Sequence, residues 1–210
     1  MIKILIADDH AIVRKGLKQI IAETSDMVVM EEACNGQETL EKIKQCNLDI
    51  VVLDIKMPGL SGLDILKLAL KMKPHLRILV LSMHPEEQYA LRALKSGASG
   101  YMTKESAPEE LLSALKKIST GGKYITPSLA EKLASHIGED PKKQIHEDLS
   151  DREFEVLCLI GQGITASEIA KQLFLSVKTV STYRTRILEK TNMRNNAELM
   201  HYVIKNKLAD

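Results

Sequence analysis

The chain has 210 residues, a length that suits one or two compact domains. Its 44% hydrophobic and 27% charged residues, with a formal net charge of +1, are typical of a globular protein and exclude disorder throughout. No apolar window approaches a membrane span and the N-terminal apolar stretch is too short for a secretion signal, so we expect a cytoplasmic protein without membrane contact. Three scattered cysteines without a C-x-x-C motif argue against disulfides and zinc.

The first part of the chain alternates short β-branched runs with amphipathic helical segments, five times in succession. The runs at 50–53 and 77–82 are nearly continuous in apolar residues, as strands covered on both faces must be. This alternation predicts an α/β domain with a parallel sheet and right-handed crossovers. The predicted strands are IKILIA, MVVMEEA, IVVLD, RILVLS and GYMT, and the predicted helices lie near 11–23, 36–45, 61–72, 85–96 and 107–120.

The pattern changes after about residue 121. We predict a linker over 122–148 that contains one short helix, SLAEKLASHI, followed by the polar stretch GEDPKKQIHED. Residues 149–210 show helical periodicity that fits four helices, and Ser150 with Glu153 forms a capping-box signal at the start of the first. The sequence therefore predicts an α/β domain at 1–121, a linker at 122–148 and a helical domain at 149–210.

Polar side chains follow the ends of four predicted strands: Asp8 and Asp9, Asp54, Ser82, and Lys104. Ligands of open parallel sheets collect at the carboxyl ends of the strands, so we expect one shared pocket. Clustered carboxylates raise each other's pKa unless a hard cation neutralises them, which predicts bound Mg²⁺, or Mn²⁺ in its place.

A pocket of this composition suits transfer of a phosphoryl group to an aspartate. One carboxylate attacks phosphorus, while the cation and the lysine absorb charge and the serine donates a hydrogen bond. Two other classes use related folds. An aspartate-based phosphatase would carry its nucleophile and acid together after strand 1, and a flavodoxin-like cofactor module would need a glycine-rich phosphate loop that ADDHAIVRKG lacks.

The segments DDH, LDIKMPGLSG, LVLS and GYMTK make residues 1–121 resemble the receiver domain of response regulators. The resemblance implies a flavodoxin-like fold with strand order 2-1-3-4-5. It also implies that Asp54 is the phosphoacceptor and that a sensor histidine kinase supplies the phosphoryl group. The remaining implied site consists of Asp8, Asp9 and the backbone carbonyl of Lys56 as metal ligands, with Lys104 on the phosphoryl group.

The same resemblance assigns Ser82 and Tyr101 to a switch pair, in which the hydroxyl moves toward the phosphoryl oxygens and the ring turns inward. A half-buried tyrosine with its hydroxyl in water is the alternative for Tyr101. For His10 we expect a surface or capping role, because Mg²⁺ disfavours imidazole. The family often has a cis proline after the lysine, where this chain has Glu105, which leaves the peptide geometry there open.

The segment TASEIAKQLFLSVKTVSTYRTRILEK fits a helix-turn-helix, and residues 176–194 carry five basic residues against one acidic residue. On a helical wheel, one face is polar and the opposite face packs. Charge alone would favour a merely solvated face. The polar face holds Lys178, Ser181, Thr182, Thr185 and Glu189, with Arg186 and Lys190 at its flanks, and Val180, Ile187 and Thr191 lie opposite.

LSDREFEVLCLIGQG, IAKQLFLSVKTVSTY and ILEKTNMRNNAEL make residues 149–210 resemble a LuxR-type helix-turn-helix, and both halves together resemble the NarL/FixJ family of transcriptional regulators. Tyr183 and Thr191 depart from the family's frequent histidine and leucine. The resemblance implies a DNA-binding regulator, not an enzyme, controlled by phosphorylation. The implied contacts to double-stranded promoter DNA are Lys178, Thr179, Ser181, Thr182, Thr185, Arg186 and Lys190.

The last predicted helix is more apolar than a small domain needs for its own core. The resemblance implies that part of this face, Leu199, Met200 and Val203, pairs two subunits in a homodimer that forms on phosphorylation or on DNA. Ordinary packing inside one domain is the alternative.

Overall fold

The computed structural model describes residues 1–83, 86–127, 129–131, 145–206 and 208. The chain divides into two compact units, Met1–Glu131 and Lys132–Asp210. Along the described residues, no helix combines the length and hydropathy needed to cross a membrane.

A five-stranded parallel sheet forms the centre of the first unit, in the order β2-β1-β3-β4-β5. Both the strands and their order were predicted, and both are confirmed. Every residue of β3 is buried because helices cover the sheet on both faces. The strands are β1 (Ile2–Ala7), β2 (Met27–Ala33), β3 (Ile50–Asp54), β4 (Arg77–Ser82) and β5 (Gly100–Thr103).

Five helices connect and follow these strands, each within two residues of its predicted bounds. The core on one side of the sheet packs Ile4, Ile6 and Val52 against apolar side chains that include Leu17 and Leu111. The helices are α1 (Ala11–Ala22), α2 (Gly36–Gln45), α3 (Gly62–Met72), α4 (Glu86–Lys95) and α5 (Ala107–Ser119).

The turn from β3 into α3 is held by close backbone packing. The amide of Gly62 donates to the carbonyl of Ile55 at 2.9 Å, and the Ser61 hydroxyl accepts from the Leu63 amide at 3.3 Å to cap α3. A Cβ at Gly62 would lie 2.5 Å from the Ile55 Cα and 2.6 Å from the Asp54 carbonyl oxygen. Only glycine therefore lets α3 start this close to the end of β3.

Residues beyond α5 also pack on the first unit. Tyr124 forms a parallel bridge with Gly100, and its amide donates to the Ser99 carbonyl at 2.9 Å. The packed part of this unit thus extends past residue 121, into the segment predicted as linker. Residues 129–131 of the predicted short helix are helical, and its remainder lies outside the described residues.

The described residues of the second unit, 145–206 and 208, form four α-helices, as predicted. Their core buries side chains that include Phe154, Leu157, Ile169, Val180 and Ile187. The predicted capping box of Ser150 and Glu153 is confirmed. The helices are α6 (Asp151–Gly161), α7 (Ala166–Gln172), α8 (Val177–Thr191) and α9 (Asn196–Lys205).

A short 3-10 helix at Ile145–Asp148 precedes α6, where the sequence predicted polar linker. His146 Nδ1 lies 2.9 Å from the Tyr202 hydroxyl, and its ring lies 5.6 Å from the Phe154 ring centre. The stretch packs on the second unit through the contacts of His146 with Tyr202 and Phe154 and through Lys190, whose Nζ donates to the Asp148 carbonyl at 3.4 Å. Apolar periodicity could not reveal these contacts, since polar side chains make them.

We predict that Gly62→Ala lowers the free energy of unfolding by about 1–3 kcal/mol or more, because the new methyl group meets rigid backbone. Gly16→Ala is the matched control, since a Cβ there meets nothing within 4 Å. Alanine inside α1 should instead stabilise the protein by about 0.5–1 kcal/mol. Urea unfolding followed by circular dichroism measures both, and equal effects of the two substitutions would contradict this account.

Candidate functional site

The ends of four strands bring the predicted acidic pocket together. Asp54 ends β3 and Ser82 ends β4, while Asp8 directly follows β1. The Lys104 amide donates to the Ser82 carbonyl at 2.7 Å, which fixes the lysine beside β4. Its Nζ lies 2.6 Å from Asp8 Oδ2 and 2.7 Å from Asp54 Oδ2. One ammonium thus joins two carboxylates from different strands.

These three charged groups are removed from water. The side chains of Asp8, Asp54 and Lys104 are 1%, 3% and 7% exposed. Burial raises the pKa of Asp54 to about 6, although the attraction of Lys104 opposes the shift. Burial alone would lower the pKa of Lys104, but the two carboxylates outweigh it and raise that pKa. Between Asp8, Asp54 and Lys104 the pocket carries one more carboxylate than ammonium, a balance that suits a further cation.

Oxygen ligands for such a cation converge at the mouth of the pocket. Ligand atoms of Asp8, Asp9, His10 and Asp54 all lie within 4.8 Å of one another. The buried Oδ2 of Asp8 accepts no hydrogen bond from the described residues, and its contact is the ion pair with Lys104. Asp9 is exposed toward solvent. Three carboxylates with open coordination fit a hard divalent cation that keeps several waters.

His10 occupies the N-cap position of α1, but its side chain makes no capping hydrogen bond. Its amide donates to Asp8 Oδ1 at 2.8 Å, and its exposed ring places Nδ1 2.7 Å from Asp9 Oδ1. The expected surface position is therefore confirmed. The ring therefore contacts both aspartates, since Nδ1 also lies 3.2 Å from Asp8 Oδ1.

Arg14 holds the strand end that carries the acidic pair, and the sequence analysis missed it. Its Nη1 donates to the Asp8 carbonyl at 2.7 Å, and its Nε lies 3.3 Å from Glu32 Oε2. A basic residue this close to the start of α1 can reach back to the end of β1, so Arg14 itself could have been suspected from the sequence. Its acceptor, a backbone carbonyl, leaves no mark in the sequence.

The predicted switch residues are both buried. Ser82 is 1% exposed and Tyr101 is fully buried on the neighbouring strand, so the half-buried alternative for Tyr101 is wrong. The backbone of the loop after Asp54 also meets the pocket, because the Lys56 amide donates to Asp54 Oδ1 at 3.0 Å. The described peptide bonds, including Lys104-Glu105, are all trans.

In the second unit, α8 has the two faces that the helical wheel predicts. Val180, Ile187 and Thr191 are buried. The Thr191 hydroxyl donates to the Ile187 carbonyl at 2.7 Å, so this departure from leucine leaves no unsatisfied polar group in the core. The exposed face holds Lys178, Ser181, Thr182, Thr185, Arg186, Glu189 and Lys190.

The structure gives Lys190 a partner that the wheel could not show. Its Nζ lies 2.6 Å from Glu153 Oε2, and that oxygen also accepts from the Ser150 amide at 2.8 Å. The interactions with Lys190 and the Ser150 amide hold the pKa of Glu153 below its usual value, although burial opposes them. Lys190 therefore ties α8 to α6 before any outside partner binds.

Two of the three predicted dimer contacts are wrong. Leu199 and Val203 are both fully buried within their own domain. Val203 packs so closely on α6 that a Cβ added at Gly161 would lie 2.2 Å from its Cγ1. Met200 is half-buried, and Ile204 is the exposed large apolar side chain of α9. Periodicity identified an apolar face but could not tell a core from an interface.

Comparison with known families matches both units. Residues 4–116 match the family described as response regulator receiver domain, and residues 147–203 match the family described as bacterial regulatory proteins, luxR family.

Relatives of similar length align along the whole chain. The oxygen regulatory protein NreC of Staphylococcus carnosus is 39% identical, with 99% of each chain covered. Among solved structures, RcsB from Salmonella enterica serovar Typhimurium, bound to the promoter rprA with the phosphomimetic BeF3⁻, is 27% identical with a TM-score of 0.67. That alignment covers 97% of this chain and 98% of the RcsB chain. A structure of two RcsB dimers bound to two parallel DNAs is 28% identical with a TM-score of 0.60. That alignment covers 96% of this chain and 97% of the RcsB chain.

The raised pKa of Asp54 predicts a pH-dependent stability. The unfolded carboxyl titrates near 3.8 and the folded one near 6, so the folded state binds the extra proton between these values. Stability from Asp54 is then present at low pH and is lost as the pH rises through about 6. In EDTA, Asp54→Asn should stabilise the protein at pH 7.5 by up to about 3 kcal/mol, and by about half as much at pH 5.

The control is Asp26→Asn, since Asp26 is exposed and its substitution should change little at either pH. Thermal unfolding across this pH range measures the difference. A gain from Asp54→Asn that is constant with pH would contradict a buried, titrating carboxylate.

Proposed function

Because the chain belongs to the NarL/FixJ family of two-component response regulators, with a receiver domain and a LuxR-type DNA-binding domain, we propose that phosphorylation of Asp54 controls its binding to promoter DNA. The family consists of DNA-binding regulators and not of enzymes. The observation that carries the proposal is the buried contact of Lys104 with both Asp8 and Asp54. A sensor histidine kinase is the partner that supplies the phosphoryl group, and the function is cytoplasmic because its target is DNA.

Asp54 acts as the nucleophile of the transfer. A carboxylate oxygen of Asp54 attacks the phosphorus of the donor's phosphohistidine, the P–N bond breaks, and its electron pair returns to the imidazole nitrogen. Lys104 lies beside Asp54 Oδ2 and stabilises the charge on the phosphoryl oxygens, while the Lys56 amide holds Oδ1. Ser82 at the end of β4 donates a hydrogen bond to the new phosphoryl group.

Asp8, Asp9, Asp54 and the backbone carbonyl of Lys56 are the proposed ligands of Mg²⁺ or Mn²⁺. The cation neutralises charge on the incoming phosphoryl group when it is bound. The excess of carboxylate over ammonium and the oxygen of Asp8 that lacks a hydrogen bond both support such a site. Arg14 keeps the end of β1 in place through the Asp8 carbonyl.

Phosphorylation acts on the rest of the protein by favouring one of two states. It adds roughly 1.5–2 negative charges to a buried pocket in which Lys104 already pairs with two carboxylates. We place the response in Ser82 and Tyr101, which are buried on the adjacent strands β4 and β5. Movement of the serine toward the phosphoryl group leaves space that the tyrosine ring fills.

The exposed face of α8 is the proposed contact to double-stranded DNA. RcsB, solved on promoter DNA, supports this assignment. The proposed contacts are Lys178, Thr179, Ser181, Thr182, Thr185 and Arg186. Lys190 pairs with Glu153 in the structure, so it contacts a DNA phosphate only when this ion pair breaks.

A homodimer on DNA is supported by RcsB, whose dimers are solved bound to DNA. For this chain we propose that Met200 and the exposed Ile204 contribute to the pairing, because Leu199 and Val203 are committed to the core.

We predict that radiolabelled acetyl phosphate with Mg²⁺ labels the protein and Asp64→Ala, whereas Asp54→Ala takes up no label. Asp64 lies in the first turn of α3 and serves as the matched acidic control. EDTA should abolish labelling of the unaltered protein and of Asp64→Ala. Persistent labelling of Asp54→Ala would overturn the assignment of the phosphoacceptor.

We predict that Lys178→Ala weakens DNA binding on every sequence and lowers the slope of log affinity against log salt by about 1, because one phosphate contact is lost. Lys205→Ala is the control, because Lys205 is exposed at the end of α9. Fluorescence anisotropy at several salt concentrations measures both. An unchanged slope for Lys178→Ala would favour the alternative that the charged face of α8 contacts only solvent.

A further inference from the structure

Two threonines on the exposed face of α8 give their hydroxyl protons to their own helix. Thr182 Oγ1 donates to the Lys178 carbonyl at 3.0 Å, and Thr185 Oγ1 donates to the Ser181 carbonyl at 3.1 Å. Both residues are exposed, so each hydroxyl donates to the helix backbone where it could have donated to water. Ser181 differs, because its hydroxyl forms no hydrogen bond with any described part of the chain.

A hydroxyl has one proton and two lone pairs. When the proton is held by a carbonyl one turn back, the side chain offers an outside partner only a lone pair and its γ-methyl group. Thr182 and Thr185 therefore present a hydrogen-bond acceptor and a methyl group to an outside partner. The hydroxyl of Ser181, on the same exposed face, can still donate.

The major groove distinguishes these two kinds of group. Guanine presents two acceptors, N7 and O6, which a lone pair cannot satisfy. Adenine presents a donor at N6, and thymine presents a methyl group. An A·T pair thus matches both groups that a back-bonded threonine offers, whereas a C·G pair presents a donor without the methyl group.

We propose that Thr182 and Thr185 select A·T pairs, reading the thymine 5-methyl group with their γ-methyl groups, and that Ser181 supplies the hydroxyl donor of this face. The inference rests on the proposed binding of α8 in the major groove. It assigns these two threonines to sequence selection through shape and apolar contact.

The test begins with duplexes selected from a random pool by the full-length protein in Mg²⁺ and acetyl phosphate. Each thymine of the selected site is then replaced singly by uracil, which removes the 5-methyl group and keeps the base pairing. Anisotropy at fixed salt compares the unaltered chain with Thr182→Val, which keeps the methyl group without the hydroxyl, and with Thr182→Ser, which keeps the hydroxyl without the methyl group. The same pair of substitutions is made at Thr185.

We expect one uracil position for each threonine to weaken binding by about four-fold, the effect of one buried methyl group. The valine variant should keep that penalty, because it keeps the methyl group, although it loses the lone pair that can accept from adenine N6. The serine variant should bind thymine about four-fold more weakly and no longer distinguish uracil from thymine at that position.

Ser181→Ala is the control for the free hydroxyl, and it should leave every uracil penalty unchanged. Tight binding by the serine variants with loss in the valine variants would show that the hydroxyls and not the methyl groups select the bases, and would overturn the inference. Selective binding without any uracil penalty would also overturn it while leaving the DNA-binding function intact. Failure of the pool to yield any preferred sequence would instead count against the proposed function itself.

Discussion

The contact of one ammonium with two buried carboxylates is the constraint on which the first unit depends. Lys104 reaches Asp8 and Asp54 from the end of a third strand, so three chain segments must be in register for the ion pairs to form. A buried carboxylate without such a partner would be protonated or would unfold the pocket. The arrangement leaves one negative charge in excess, a balance that suits a further cation.

The second unit also contains a pairing of a lysine with a buried carboxylate, and there it holds two helices together. Lys190 on α8 pairs with Glu153, which also caps α6. The helix that presents polar groups to solvent is therefore held by its own basic side chain. A cation in a DNA-binding helix need not be a DNA contact, and only the packing of α6 against α8 distinguishes the two roles.

Sequence periodicity predicted most of the fold because each strand and helix here follows its own local pattern. β3 is continuous in apolar residues and α8 has one apolar face, so both were found with their correct faces. The acidic pocket was also predictable, since the ends of parallel strands share one edge. Individual polar contacts were not predictable: the bond from the Arg14 side chain to the Asp8 carbonyl and the contact between the His146 and Tyr202 side chains depend on geometry that pattern alone does not encode. The burial of Leu199 and Val203 was missed for a related reason, because an apolar residue looks the same whether its neighbour is its own chain or another.

The bridge between Tyr124 and Gly100 has a consequence for how copies of this protein can meet. An edge strand exposes unpaired backbone groups that can recruit a strand from another molecule. β5 has only four residues, and Tyr124 covers its first. At the opposite edge, β2 carries Glu31 and Glu32, which pair with Lys42, Arg14 and Lys18. A sheet protected in this way at both edges resists pairing with a strand of another molecule.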